Sequence, residues 1–172
     1  IHGGLLTCQA AMRYYGLPVA HGAEQVHLVV APGRRFSTAG REVLHADRYR
    51  TRISPTSYPV QPLPEALARF LRCHVQDDSP LIALDAALHD ERVTADQVRD
   101  LLRGPGSARA LVRLERARDR ARSPLETLAR MDLEAAGLSF EDGVVIEGWV
   151  VVELDGYTYH CDEYQFGLDR WR

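Results

Sequence analysis

The sequence predicts a mixed α/β (α+β) protein, and three observations support this fold class. A run of β-forming residues, Val26–Val30, ends at the turn signal Ala31-Pro32-Gly33. From Pro64 onward, apolar residues recur every three or four positions, as in amphipathic helices. Near the C-terminus a second apolar run, Trp149–Val152, leads into Glu153-Leu154-Asp155. We therefore expect strands in both end regions and helices between them.

Composition limits the class of protein. With 172 residues there is room for one domain or two small ones. The net charge of −3 predicts no strong attraction of the whole surface to nucleic acid, although a local basic patch can still bind it. No apolar run reaches the ~20 residues that cross a membrane, so we expect no membrane association. The opening Ile1-His2-Gly3-Gly4 has no initiator Met and is typical of the middle of a longer protein.

The three cysteines, Cys8, Cys73 and Cys161, are odd in number and far apart. This pattern favours free thiols in a reducing cytoplasm over a disulfide framework. There is no Cys-x-x-Cys pair, and the neighbours Cys73-His74 and His160-Cys161 lack the usual spacing of zinc ligands. The sequence therefore gives no indication of a structural zinc site.

The N-terminal elements are short. Thr7 is suited to cap a helix over Cys8–Tyr15, and Val26–Val30 is the first strong strand. Weaker strand candidates are Arg41–His45 and Tyr58–Val60.

Three helices follow, before a firm break. One begins at Pro64, which suits the first turn of a helix, and one begins at Ser79-Pro80. The pattern Thr94-Ala95-Asp96-Gln97 is a capping box and predicts the third. Gly104-Pro105-Gly106 then interrupts the chain. We expect a domain boundary there, with domains over 1–106 and 107–172.

A basic helix is predicted from Ser107 to about Arg122. Its segment 109–122 holds six Arg against Glu115 and Asp119, a net charge of +4. Four of the arginines recur at helical offsets: Arg109, Arg113, Arg116 and Arg120. They form either a solvated face beside a stripe of small alanines or a face that follows DNA phosphates.

The next helix begins at Ser123-Pro124-Leu125-Glu126. Glu126 has two interpretations here. As the third residue after a serine cap, its carboxylate can fold back onto the backbone N–H of the cap residue. Alternatively, it can reach the acidic strand end as a third carboxylate. Gly137 is a stop signal for this helix.

The acidic strand end is the main candidate site. Side chains alternate along a strand, so Glu153 and Asp155 share one face. Two carboxylates at the end of a buried strand carry a high desolvation cost unless a cation neutralises them. Mg²⁺, or another divalent cation, suits these oxygen ligands. The opposing interpretation is a strand end that simply faces solvent.

The C-terminal third resembles a known nuclease family. The residues that carry the resemblance are Ser123-Pro124-Leu125-Glu126, then Val152-Glu153-Leu154-Asp155-Gly156, His160, Phe166, Asp169-Arg170 and Arg172. This pattern is similar to that of the very-short-patch-repair-like endonucleases, in the PD-(D/E)XK superfamily. The resemblance implies a restriction-endonuclease-like C-terminal domain that acts on DNA. The family's other strand, which bears Val-Asp, should lie between Gly143 and Val150, where we count too few residues for a strand and a hairpin. Either this strand has been lost, or residues are left out of the sequence there.

The resemblance assigns roles to individual residues. It implies that Glu153 and Asp155 hold the metal, with Glu126 as a further catalytic carboxylate. His160 would act as general acid or base, and Asp169 would orient it. Two arginines would contact phosphate, Arg170 and Arg172.

The first part of the chain resembles a second family, the AbiEi-type antitoxin regulators. The resemblance rests on Leu5, Thr7, Ala10-Ala11 and Tyr15-Gly16-Leu17-Pro18. It implies a mixed α/β regulator-like domain over 1–106 and a winged helix before Ile1. The combined expectation is a cytoplasmic, metal-dependent DNA endonuclease of repair or phage defence, with homodimerisation left open. The alternative is a catalytically inactive DNA-binding regulator or antitoxin that keeps a nuclease fold.

Overall fold

The computed structural model describes residues 4–19, 25–32, 40–46, 58–73, 78–141, 145–146 and 150–152. The predicted site residues Glu153, Asp155, His160, Asp169, Arg170 and Arg172 lie outside these ranges. The chain forms two compact units, Ile1–Asp119 and Arg120–Arg172. In the described residues six helices and two small sheets confirm the mixed α/β class.

The first unit contains a three-stranded sheet. Its strands are β1 (Leu5–Leu6), β2 (Val26–Val30) and β3 (Glu42–Ala46), in that spatial order. The predicted strand Val26–Val30 is confirmed, and β3 starts one residue later than expected. Strand β1 is antiparallel to β2, whereas β2 and β3 are parallel. The third expected strand is reduced to a single parallel bridge between Val60 and Leu6.

The register of β2 and β3 brings two histidines to the same face. Val43 lies opposite His27, and His45 lies opposite Val29. Because side chains two positions apart point the same way, all four side chains share one face of the sheet. Val29 and His27 on this face are buried.

Five helices complete the described part of the first unit. They are α1 (Cys8–Tyr14), α2 (Leu63–Arg72), α3 (Ser79–His89), α4 (Ala95–Leu101) and α5 (Ser107–Glu115). The predicted helix starts are confirmed to within one residue, and the capping box between Thr94 and Gln97 is complete. The predicted side-chain cap at Thr7 is wrong, because the Thr7 hydroxyl donates to Gln61 Oε1 instead. Helix α3 is buried on nearly every side.

Helix α2 is the centre of the hydrophobic core. Its fully buried residues Leu67, Phe70 and Leu71 pack among side chains of α1, α3, α4 and α5. Phe70 and Met12 are among the largest fully buried side chains. The sheet contacts α1, so the start of α1 lies beside both the core and β2.

Helix α5 is shorter than the sequence predicts. It ends at Glu115 rather than near Arg122. The backbone N–H of Arg118 donates to the buried carboxylate of Asp85 (2.8 Å) instead of continuing the helical ladder. Arg116 is therefore the C-cap of α5, and Arg120 lies beyond the helix. The prediction of one helix carrying all four stripe arginines is wrong.

The described part of the second unit holds one helix and a small sheet. Helix α6 (Pro124–Ala135) is followed by β4 (Phe140–Glu141), β5 (Val145–Ile146) and β6 (Val150–Val151). The sheet is antiparallel throughout, in the order β4-β5-β6. The antiparallel pairing of β5 with β6 shows that the expectation of too few residues here for a strand and a hairpin is wrong. Gly137 follows α6 with a φ of 70°, a conformation that favours glycine and confirms the predicted stop.

Glu126 takes part in two hydrogen bonds at the start of α6. The Ser123 hydroxyl accepts a hydrogen bond from the Glu126 N–H (3.2 Å). The Glu126 carboxylate in turn accepts from the N–H of Arg122 (2.8 Å). The serine cap is confirmed, and Glu126 folds back onto the helix start, but onto the N–H of Arg122, the residue before the cap. The catalytic role of Glu126 stays a prediction.

Among the residues that the structure describes, no helix combines the length and the apolar character needed to cross a bilayer.

Candidate metal centre

Four potential metal ligands converge in the first unit. They come from four separate segments: Cys8 from the start of α1, His27 from β2, His45 from β3, and Cys73 from the residue after α2. One ligand atom from each residue lies within 4.8 Å of the other three. Three of the residues are buried and His45 is half-buried.

The distances between the ligand atoms are short and consistent. The two sulfurs, Cys8 Sγ and Cys73 Sγ, are 2.7 Å apart. The two nitrogens, His27 Nδ1 and His45 Nε2, are 3.0 Å apart. His45 Nε2 is 3.7 Å from each sulfur, and His27 Nδ1 is 3.9 Å from Cys73 Sγ. The four atoms therefore outline a small tetrahedron.

Four of the measured edges are near those of a tetrahedral zinc site. With Zn–S near 2.3 Å and Zn–N near 2.05 Å, the edges are about 3.6 Å for S···N and about 3.3 Å for N···N. The sulfur–nitrogen distances of 3.7–3.9 Å and the nitrogen–nitrogen distance of 3.0 Å are near these values. The S···S distance is shorter, at 2.7 Å, and zinc binding would widen it to about 3.8 Å.

Backbone geometry directs each ligand inward. His27 and His45 share the face of the sheet described above, and their rings stack with centroids 5.2 Å apart. Cys8 adopts a φ of 49°, in the left-handed region that L-residues avoid. That conformation costs about 1–2 kcal/mol. Such strain persists where the surrounding structure requires it, frequently at functional sites.

The thiols are electrostatically distinct. Burial raises the pKa of the Cys8 thiol well above its ordinary value. A hydrogen bond from Cys8, with further ones from His27 and His45, holds the pKa of Cys73 well below the ordinary thiol range. At neutral pH the pair therefore shares one proton, which Cys8 donates to the Cys73 thiolate.

The ligand chemistry selects zinc over magnesium. Thiolate and imidazole ligands suit Zn²⁺, whereas Mg²⁺ prefers oxygen. Two thiolates and two neutral imidazoles around Zn²⁺ sum to zero charge, which removes most of the cost of burying ions. All four tetrahedral positions have a protein ligand, as in structural zinc sites; catalytic sites leave one position open.

A guanidinium supports the segment that carries Cys73. Arg113 of α5, half-buried, donates from Nη1 to the backbone carbonyl oxygens of Leu71 (2.9 Å) and Cys73 (3.2 Å). These carbonyls lie at the C-terminal end of α2, where they lack helical partners. Arg113 therefore fixes the turn that presents the Cys73 sulfur.

The structure places the predicted DNA-contacting arginines in different surroundings. Arg109 is exposed on α5, whereas Arg113 is held by the carbonyl groups after α2. Arg116 follows α5 half-buried, and Arg120 begins the second unit. DNA binding by these residues stays a prediction.

The sequence analysis missed this centre because its four ligands are distant from one another in the sequence. Cys8 and Cys73 are separated by 64 residues in the sequence, and both histidines lie between them. The expectation of no zinc site relied on local spacing, which applies only when one short segment supplies paired ligands. The available signal was a histidine inside each apolar strand, Val26–Val30 and Glu42–Ala46.

No protein-family model, no curated protein and no solved structure matches this chain. The role of the centre therefore has to follow from its own geometry.

Replacement of Arg113 tests the support of Cys73. We expect Arg113→Leu to weaken zinc binding about tenfold, because outer-shell partners of metal ligands usually contribute that much. The measurement is competition for Zn²⁺ with a chromophoric chelator. Arg109→Leu, on the exposed face of the same helix, is the matched control and should keep full affinity. Equal affinities for the two variants would contradict the supporting role of Arg113.

Proton release tests the shared proton. Because the Cys73 thiol has already lost its proton and Cys8 retains one, zinc binding at neutral pH should release about one proton per site. Zinc affinity should then rise about tenfold per pH unit near neutrality. Calorimetry in buffers of different ionisation enthalpy measures the number directly. A release of two protons would show that both thiols are protonated before binding.

Proposed function

We propose that the first unit is a zinc-binding module in which one Zn²⁺ has a structural role. The observation that carries the proposal is the tetrahedral convergence of Cys8, His27, His45 and Cys73 within 4.8 Å. The burial of both sulfurs and the closed ligand set support a structural role rather than a catalytic one.

The proposed ion cross-links the unit. It joins the start of α1, two parallel strands and the end of α2, which are distant in sequence. A bond between distant segments removes much of the conformational freedom of the unfolded chain. Structural zinc contributes about 10–16 kcal/mol to the folding of small zinc-finger peptides at neutral pH. We therefore expect metal binding and folding of this unit to be coupled.

Metal analysis of purified variants tests the zinc proposal. The wild-type chain should contain one zinc per molecule, and a strong chelator should lower its thermal unfolding midpoint. Cys73→Ser should lose the zinc, since it replaces a thiolate ligand. Cys161→Ser is the matched control, because it makes the same substitution at a cysteine that is not one of the four proposed ligands. Zinc retained in full by Cys73→Ser, or absent from the wild type even after refolding with added Zn²⁺, would contradict the proposal.

A second candidate function is metal-dependent cleavage of DNA by the second unit. Its support is the order of elements: the serine-capped helix α6 is followed by a small antiparallel sheet whose strand β6 leads toward Glu153 and Asp155. This order is that of the resembling endonucleases, in which a helix with Ser-x-x-Glu precedes a strand with Glu-x-Asp. We propose the restriction-endonuclease-like fold of the second unit together with this function.

The two functions require different metals. The carboxylates Glu153 and Asp155 suit Mg²⁺, which would activate water and neutralise the phosphate. The cysteine and histidine centre suits Zn²⁺ and leaves no position for substrate. In this proposal the zinc stabilises the first unit, and hydrolysis occurs at the carboxylates with His160 as acid or base.

A cleavage assay distinguishes the two hypotheses for the second unit, an active endonuclease and an inactive DNA-binding regulator. With Mg²⁺, the wild-type chain should nick DNA, and the double variant Glu153→Ala, Asp155→Ala should lose at least 100-fold in rate, roughly the share of metal activation in such sites. Asp132→Ala, which removes an exposed carboxylate of α6, should leave the rate unchanged. Wild-type binding to DNA with no Mg²⁺-dependent turnover would favour the inactive regulator instead.

A further inference from the structure

We infer that the zinc centre is also a redox-controlled site, at which oxidation by a peroxide joins Cys8 to Cys73 as a disulfide and releases Zn²⁺. This inference rests on the zinc-binding function proposed above. It concerns the regulation of the same four residues.

The geometry favours a bond between these two sulfurs. Cys8 Sγ and Cys73 Sγ are 2.7 Å apart, closer than the ~3.8 Å expected for two thiolates on one zinc ion. A disulfide needs only about 0.7 Å of further approach, to about 2.05 Å. The two sulfurs therefore lie between the separation of a zinc-bound pair and that of a disulfide.

Access to solvent differs between the two cysteines. Cys8 is fully buried at 0% exposure, whereas Cys73 is 7% exposed at the end of α2. A small oxidant therefore reaches the Cys73 sulfur first. The fully buried Cys8 sulfur is then the nearest thiol to the product, which is the arrangement of an attacked cysteine beside a resolving one.

The chemistry balances with hydrogen peroxide as the two-electron oxidant. The Cys73 thiolate attacks one peroxide oxygen, the O–O bond breaks, and Cys73 becomes a sulfenic acid while hydroxide leaves. The Cys8 thiolate then attacks the Cys73 sulfur, the S–O bond breaks, and a second hydroxide leaves. In sum, two thiolates, one peroxide and two protons yield one disulfide and two waters. Each sulfur loses one electron to the peroxide.

Loss of the zinc follows from the ligand count. A disulfide sulfur is no longer an anionic donor, so only His27 and His45 remain for the ion. Two imidazoles do not make a closed zinc site, and the charge balance that allowed the ion to be buried is lost with the thiolates. A dithiol reductant reverses the step by thiol–disulfide exchange: it gives up two electrons, becomes a disulfide itself, and leaves Cys8 and Cys73 as thiols, so all four ligands are restored.

The test uses the Cys161→Ser chain, which removes the third thiol from the count. The zinc-loaded protein is treated with hydrogen peroxide while a chromophoric chelator reports released Zn²⁺. Free thiols are counted in parallel, and peptide mapping by mass spectrometry locates any disulfide. We expect one zinc released per two thiols lost, a Cys8–Cys73 disulfide, and recovery of zinc binding after reduction. His27→Ala, which keeps both thiols but lacks one ligand, is the control and should form the same disulfide without stoichiometric zinc release.

Two results would overturn the inference while leaving the zinc proposal intact. One is full retention of zinc and thiols at a peroxide dose that completely oxidises glutathione in the same tube. The other is zinc release with sulfinic acid at Cys73 and no disulfide. A chain that binds no zinc before treatment would instead refute the zinc proposal, and the inference with it.

Discussion

Four polar ligand groups are buried at one point of the first unit, and their burial constrains the structure around them. Isolated thiolates and imidazoles inside a core have a high desolvation cost. Cys8, His27, His45 and Cys73 lie where α1, the sheet and the end of α2 meet, beside the core that α2 organises. Zn²⁺ with two thiolates gives a neutral, fully coordinated cluster, and this is the state in which such a group of side chains is best accommodated.

This constraint gives a reason for several local features. The parallel register of β2 and β3 matters because a shift by one residue would turn His45 to the opposite face. Cys8 accepts a left-handed backbone conformation that brings its sulfur toward the other ligands. Arg113 holds the last carbonyls of α2, so the turn carrying Cys73 is fixed from the side of α5. The register, the Cys8 conformation and the Arg113 hydrogen bonds each place one or more of the four ligands.

Local signals in the sequence were sufficient for most of the helices. The capping box at Thr94, the serine cap at Ser123 and the stop at Gly137 all act within a few residues, and all are confirmed. The length of α5 was not predictable, because the competing partner of the Arg118 N–H is Asp85, on another helix. The metal centre was missed for the same reason: its ligands come together only through tertiary structure. The predicted carboxylate site at Glu153 and Asp155 lies outside the described residues and stays a prediction.

The four ligands proposed for Zn²⁺ in the first unit are soft and occupy all four tetrahedral positions. X-ray absorption at the zinc edge measures the identity and distance of the atoms bound to the ion. We expect two sulfur ligands at about 2.3 Å and two nitrogen ligands at about 2.0–2.1 Å. A spectrum with only oxygen and nitrogen neighbours would rule out zinc binding by Cys8 and Cys73.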